Sequence, residues 1–287
     1  MTAKIDLHLH TTASDGVLSP EDLVALCAKL GLEAIAITDH DTTDGIPAAL
    51  KAAEGTSLTV IPGIEVSADI PKAEVHVLGY FIDYGDRALQ RTLLKLRQSR
   101  VDRARRMVAK LAVMGMPVRW ERVLEIAGEG AIGRPHVAQA LYESGYVSSP
   151  AEAFALYIGR NGPAYVERYK LTPARTVKLI TNAKGLAALA HPIIPPTPSA
   201  AQEGKLDLES LVPELVRAGL TGIEAYYPGY TPDDERQMLG LAGRFGLIAT
   251  GGTDFHGPPI TSIEPGSVRV PRKVLDEMRE ALRGLRG

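Results

Sequence analysis

Short apolar runs that stop at a polar residue alternate along this chain with stretches in which apolar positions recur every three or four residues. The first run, Ile5-Asp6-Leu7-His8-Leu9-His10, alternates strictly, so an extended strand puts Ile5, Leu7 and Leu9 on one face and His8 and His10 on the other. Ser19-Pro20-Glu21-Asp22 then reads as a helix start, with a hydroxyl cap, proline in the first turn and acids at the positive end of the dipole. Leu23, Leu26, Cys27 and Leu30 form its apolar face, and Gly31 ends it. Strands at 34–40 and 60–65, separated by a helix from Asp44 to Glu54, repeat the unit and argue for parallel strands, and Glu74 to Tyr84 extends the sheet.

That alternation stops at about residue 87. Arg87 to Leu111 reads as one long helix, followed by helices at Glu121–Ala127, Pro135–Glu143 and Ala151–Ile158, so residues 90–172 are expected to be a helical insertion. Thr172-Pro173 opens the helix that leads into the strand Ala187–His191. Helix Leu208–Ala218, strand Gly222–Tyr226, helix Pro232–Phe245 and strand Leu247–Thr250 follow. About seven strands result. Four prolines between Pro192 and Pro198 predict a stiff loop, and Arg272–Leu285 predicts a terminal amphipathic helix covering the sheet.

Composition narrows this α/β picture. With 287 residues and 45% apolar residues the chain can bury a core as one large barrel or as two modest domains. A formal charge of −2 gives no global pull towards nucleic acid or acidic membranes. The single cysteine, Cys27, excludes an internal disulfide and fits a reduced, cytoplasmic setting, and no apolar run approaches the length of a membrane span. No obligate protein partner is evident in the pattern.

The chemistry lies where the apolar runs end. His8, His10, Asp15, His40, Glu65, His76, His191, Asp254 and His256 all fall at or beside predicted strand ends, which gives six imidazoles and three carboxylates. A lone histidine is commonly a structural residue, whereas this series predicts a polynuclear metal site of zinc, manganese or iron type. In order and spacing, His8-x-His10, Asp15, Thr38-Asp39-His40-Asp41, Glu65, His76, His191-Pro192 and Asp254-x-His256 resemble the polymerase and histidinol phosphatase (PHP) superfamily of metal-dependent phosphoesterases.

That resemblance implies a distorted seven-stranded, TIM-like β/α barrel formed by residues 1–89 and 173–287, with its site at the carboxyl ends of the strands. It implies three divalent ions, manganese first among zinc and iron. His8, His10, Glu65 and Asp254 would hold one; Glu65, His76 and His191 a second; Asp15, His40 and His256 a third. The expected nucleophile is a metal-bridging hydroxide. Asp41 is a candidate proton donor to the leaving group, or else a carboxylate that orients His40. For Asp6 and Asp39 the same orienting reading is preferred.

Between Arg87 and Arg119 stand ten Lys or Arg residues and one acid, Asp102. A solvated helix face is one explanation. The other is a phosphate clamp: Arg100 and Arg103 share a face, and Arg134 and His136 begin a helix whose amides attract anions. His136 also fits a structural helix-start role, and Arg105 and Arg106 are expected to face solvent. Together with Thr12-Ala13-Ser14-Asp15-Gly16 these features resemble the family branch of 3',5'-nucleoside bisphosphate phosphatases and 5'-end-trimming ribonucleases. The substrate so implied is a nucleoside bisphosphate, such as adenosine 3',5'-bisphosphate, or a short 5'-phosphorylated oligonucleotide. With 5% aromatic residues, a long base-stacking track is not expected. The alternatives are a histidinol-phosphate phosphatase, which needs no second anion clamp, and a non-catalytic metal-binding module, which the complete ligand series argues against.

Overall fold

The computed structural model describes residues 4–70, 73–128, 132–193 and 206–286, so most of the expected proline-rich loop, from Ile194 to Pro198, lies outside the described residues. The strands are β1 (Lys4–Leu9), β2 (Leu32–Ile37), β3 (Thr59–Ile70), β4 (Ala73–Tyr80), β5 (Leu186–Leu189), β6 (Leu220–Tyr226) and β7 (Ile248–Gly251). The helices are α1 (Pro20–Lys29), α2 (Ile46–Ala53), α3 (Arg87–Val113), α4 (Trp120–Ala127), α5 (Arg134–Glu143), α6 (Pro150–Ala153), α7 (Pro173–Asn182), α8 (Leu208–Ala218), α9 (Pro232–Phe245) and α10 (Lys273–Arg286); a π-helical turn, Phe154–Ile158, continues α6. Two compact units result, with breaks between Arg91 and Thr92 and between Lys170 and Leu171.

In the first unit the seven strands form one sheet in sequence order. Its ends meet after β7: Leu9 bridges Phe255, and the His10 amide donates to the Phe255 carbonyl at 3.0 Å. This approach requires a residue without a side chain at Gly252, where a Cβ would lie 2.5 Å from the His8 backbone nitrogen. The product is a distorted seven-stranded β/α barrel. Ile5, Leu7, Ala34, Ala36, Leu78, Tyr80, Ala188 and Ala190 form one buried cluster, which Val274, Leu275 and Met278 of α10 join. The terminal helix therefore covers this core with its apolar face, as its pattern predicts.

Three details depart from the sequence reading. Strand direction is mixed, because β3 pairs antiparallel with β4 and β4 with β5. Ile70 and Ala73 are cross-strand partners with two residues between them, a connection too short for the crossover that a parallel pair needs. Glu65 and His76 consequently lie inside strands and not at their ends, since β3 runs on to Ile70 after its pairing with β2 ends at Pro62. Finally, β1 carries a bulge: from Asp6 to Leu9 it advances three residues while β2 advances two, from Ile35 to Ile37, with Ile5 and Leu7 sharing the inner cluster and His8 and His10 converging as the alternation predicts.

The second unit packs Ala104, Leu111, Val123, Val137, Leu141 and Ala153 from its helices into a separate core. Its segment 165–169 lies along α3, with Val166 and Arg168 buried. The carbonyls of Tyr165, Glu167 and Tyr169 accept hydrogen bonds from Lys110 (2.7 Å), Arg106 (3.2 Å) and Ser99 (3.1 Å) of α3. Part of the basic face of α3 thus satisfies backbone oxygens within its own unit, a duty for which the charge count held no signal. Among the described residues no helix is long and apolar enough to cross a membrane.

Candidate metal centre

His8 comes from β1, His10 from just after it, His40 from just after β2, Glu65 from β3 and His76 from β4. His191 follows β5, and Asp254 and His256 follow β7. The antiparallel run of β4 brings its amino-terminal half beside the ends of the parallel strands, so a residue inside a strand joins residues from turns. Glu65 is the centre. Its Oε1 lies 2.8 Å from His76 Nδ1 and 3.1 Å from His191 Nε2. Its Oε2 lies 3.3 Å from Nε2 of both His8 and His10 and 3.0 Å from His40 Nδ1. Asp254 Oδ1 closes the group, 3.3 Å from His8 Nε2 and 3.1 Å from His10 Nε2.

These donors fit a metal on two counts. Ligand atoms held about 2.1 Å from one ion, at angles between tetrahedral and octahedral, are about 3.0–3.4 Å apart, which matches the spacings around Glu65 Oε2. Moreover His8 Nε2, both nitrogens of His10, His40 Nδ1, Glu65 Oε2 and Asp254 Oδ1 are buried without a hydrogen-bond partner. Such orphaned polar atoms are costly unless a group from outside the protein satisfies them. Three sets of donors lie within 4.8 Å of one another: His8, His10, Glu65 and Asp254; His10, Asp15, His40 and His256; and His40, Glu65 and His76. His10 and His40 thus each enter a group beyond the expected one, and His191 reaches the centre through Glu65 Oε1. The set around Asp15 is the outermost, for the Asp15 side chain is 45% exposed.

Electrostatics tie the set together. Burial opposes ionisation of Glu65 and Asp254, yet the surrounding imidazoles hold both of these carboxyls, and that of the more exposed Asp15, below the usual carboxylate range. Burial disfavours charge on His8 and His10, but Asp254 and Glu65 outweigh it and push His10 up to about 10 and His8 upward as well. His40 goes the other way, pushed down to about 4 chiefly by burial. Protons therefore occupy part of the place that a cation would take, and cation binding must displace them.

A surrounding set of residues aims the donors. His256 Nδ1 donates to the Asp254 carbonyl at 2.9 Å, which leaves Nε2 directed at Asp15, 3.3 Å away. Asp39 accepts from the Thr11 amide (2.7 Å), the Thr11 hydroxyl (2.8 Å) and the Ser14 hydroxyl (2.6 Å), and so shapes the loop that carries Asp15. Asp6 accepts from the amides of Thr253 (3.0 Å) and Gly266 (2.8 Å), anchoring the segment before Asp254. Asp41 is fully buried and accepts from the Ser67 amide at 3.1 Å. Asp41, His191 and Asp254 have φ of 54°, 24° and 50°, left-handed conformations that non-glycine residues rarely adopt and that cluster at functional sites.

Two residues escaped the sequence reading. Glu224, fully buried on β6, meets His8 Nδ1 at 3.1 Å and accepts the His191 amide at 2.8 Å. Its signal was an acid inside the apolar run Gly222–Tyr226. Tyr227 donates its hydroxyl to Asp254 Oδ2 at 2.9 Å, and nothing in its neighbourhood pointed to that.

The four residues expected to bind substrate lie in the helical unit. Arg100 is half-buried and Arg103 buried on α3. Arg134 opens α5 with its guanidinium 5.5 Å from the Phe154 ring centre. His136 Nδ1 accepts the Gly133 amide at 3.0 Å, the helix-start role. Arg105 and Arg106 are exposed.

Known proteins place this arrangement. The chain is 34% identical over 260 residues to the 5'-3' exoribonuclease Rnm of Salmonella typhimurium, covering 88% of this chain and 85% of that one. It is 33% identical to a 3',5'-nucleoside bisphosphate phosphatase of Chromobacterium violaceum, over 89% and 88% of the two chains. It is 34% identical to a phosphoribosyl 1,2-cyclic phosphate 1,2-diphosphodiesterase of Eggerthella lenta, over 88% and 94%. A Chromobacterium violaceum structure described as an amidohydrolase, with sulfate bound and no metal, superposes with a TM-score of 0.81 at 30% identity, covering 99% and 97% of the chains. Residues 6–187 match the PHP domain, so the chain belongs to the PHP domain family, and its shared-carboxylate donor set is that of a metal-dependent phosphoesterase.

Proposed function

We propose that this protein removes one phosphate from 3',5'-bisphosphorylated nucleosides, turning adenosine 3',5'-bisphosphate into AMP and phosphate, and also trims short RNA from the 5' end. The observation that carries the hydrolytic reading is the convergence of imidazole nitrogens on both oxygens of Glu65, with Oε2 and the donors around it orphaned. The choice of substrate is supported by the two relatives named for those activities. His8, His10, Glu65 and Asp254 would hold one divalent ion, Glu65, His76 and His191 a second, and Asp15, His40 and His256 a third, with manganese the proposed metal. Bound there, such ions lower the pKa of a coordinated water and neutralise charge on a phosphoryl oxygen.

The chain's own residues supply the rest. Glu65, whose Oε1 faces His76 and His191 and whose Oε2 faces His8, His10 and His40, would be shared between neighbouring ions. The hydrogen bonds to Asp6, Asp39 and Glu224 keep the donors in position before substrate arrives, so little reorganisation accompanies the reaction. The burial of Asp41 and its bond to the Ser67 amide favour an orienting role for it over proton delivery. Arg100, Arg103, Arg134 and His136 are proposed to recognise the second phosphate, on the strength of residue type and family resemblance.

Phosphate release from adenosine 3',5'-bisphosphate, AMP and histidinol phosphate, ring opening of a cyclic phosphodiester and nucleotide release from a short 5'-phosphorylated RNA, each with manganese, test this. The expected result is strong preference for the bisphosphate, with Arg134→Ala raising KM for it several-fold and leaving the monophosphate unchanged. Best turnover of histidinol phosphate or of the cyclic diester would replace the proposed substrate while keeping the metal centre.

A further inference from the structure

β6 contributes no donor to the three clusters, yet two residues at its end touch three of the donors. Glu224 is completely buried and has no Lys or Arg partner among the ion pairs of the described residues. Its Oε1 lies 3.1 Å from His8 Nδ1, and its Oε2 accepts the His191 amide at 2.8 Å. A carboxylate can only accept, so His8 carries a proton on Nδ1, and Nε2, 3.3 Å from both Glu65 and Asp254, is left as the nitrogen whose lone pair an ion would engage once it displaces the proton held there. The other oxygen holds the amide of a residue whose φ is 24°, a strained conformation that needs an external tie to persist. Three positions on, Tyr227 donates to Asp254 Oδ2, and its ring lies 5.3 Å from that of His191.

The geometry points to Glu224 as the positioning residue of the metal centre: it sets the tautomer of His8 and the backbone of His191, and so holds the donors of two adjacent ions in register. Tyr227 assists by occupying Asp254 Oδ2 and leaving Oδ1 for the ion. This rests on the metal-centre reading above.

Glu224→Gln is the informative substitution because it preserves shape and removes only the second acceptor. A glutamine presents one oxygen and one N–H2 to two donors. Either the His191 amide loses its acceptor, or His8 must accept at Nδ1 and carry its proton on Nε2, where the ion belongs. Titration of chelator-stripped protein with manganese, followed by the electron paramagnetic resonance of the free ion, should show affinity about 10–100-fold weaker in Glu224→Gln than in the wild type. Tyr227→Phe should weaken binding less. A second measurement needs no variant: long-range proton–nitrogen spectra of the zinc-loaded wild type should place the His8 proton on Nδ1. Wild-type manganese affinity in Glu224→Gln, or a His8 proton on Nε2, overturns the proposal. A wild type that binds no ion at all would instead overturn the metal centre itself.

Discussion

Glu65 keeps its charge in the interior because five imidazoles lie within 3.3 Å of its two oxygens. A carboxylate so placed is legible from the chain, since it interrupts an apolar run between other donors. Glu224 has the same appearance but no neighbouring motif, so its partners emerge only when β6 is placed between β5 and β7. Cys27 shows burial as the leading influence on a titratable group. Its thiol is fully buried, and burial, reinforced by the charge of Asp6, pushes its pKa up to about 12. At pH 8 iodoacetamide should leave the native thiol intact and modify it only after unfolding; fast alkylation of native protein would show that α1 opens readily. Since the folded state holds this proton more tightly than the unfolded chain, the thiol's contribution to stability should be constant below about pH 9 and fall above it.

Elements with a sustained pattern were legible, and connections were not. The helices at α8 and α9 have the expected bounds because caps and apolar stripes coincide: Asp207 and Thr231 cap them, and Gly219 and Gly246 end them in left-handed turns. The sequence places β4 in the sheet after β3 without fixing its direction, since antiparallel and parallel strands carry similar runs when both faces are buried. The bulge in β1 was hidden for a related reason: the sequence alternates perfectly, and only pairing with β2 reveals the extra residue. α10 offers the clearest energetic test at this scale. Leu275 is completely buried in the barrel's inner cluster, so Leu275→Ala should cost about 2–5 kcal/mol in a denaturant titration. A loss below about 0.5 kcal/mol, the range of surface changes, would show that α10 does not cover the core.

At the scale of the whole molecule, the barrel gathers donors from all but one of its strands at a single point, which leaves the ion-free protein with orphaned buried groups. Metal binding should therefore act as a stabilising ligand. Each ion present at a hundred times its dissociation constant adds about 2.7 kcal/mol, which for a chain of this size corresponds to roughly 5–10 °C in Tm. The most direct test is the number of manganese ions retained per chain at equilibrium dialysis, compared between wild type and Glu65→Gln. Because both oxygens of Glu65 face donors of different groups, the wild type should retain more than one ion, and the variant should lose more than one. One ion or none in the wild type, or an unchanged count in Glu65→Gln, would contradict a centre built around a shared carboxylate.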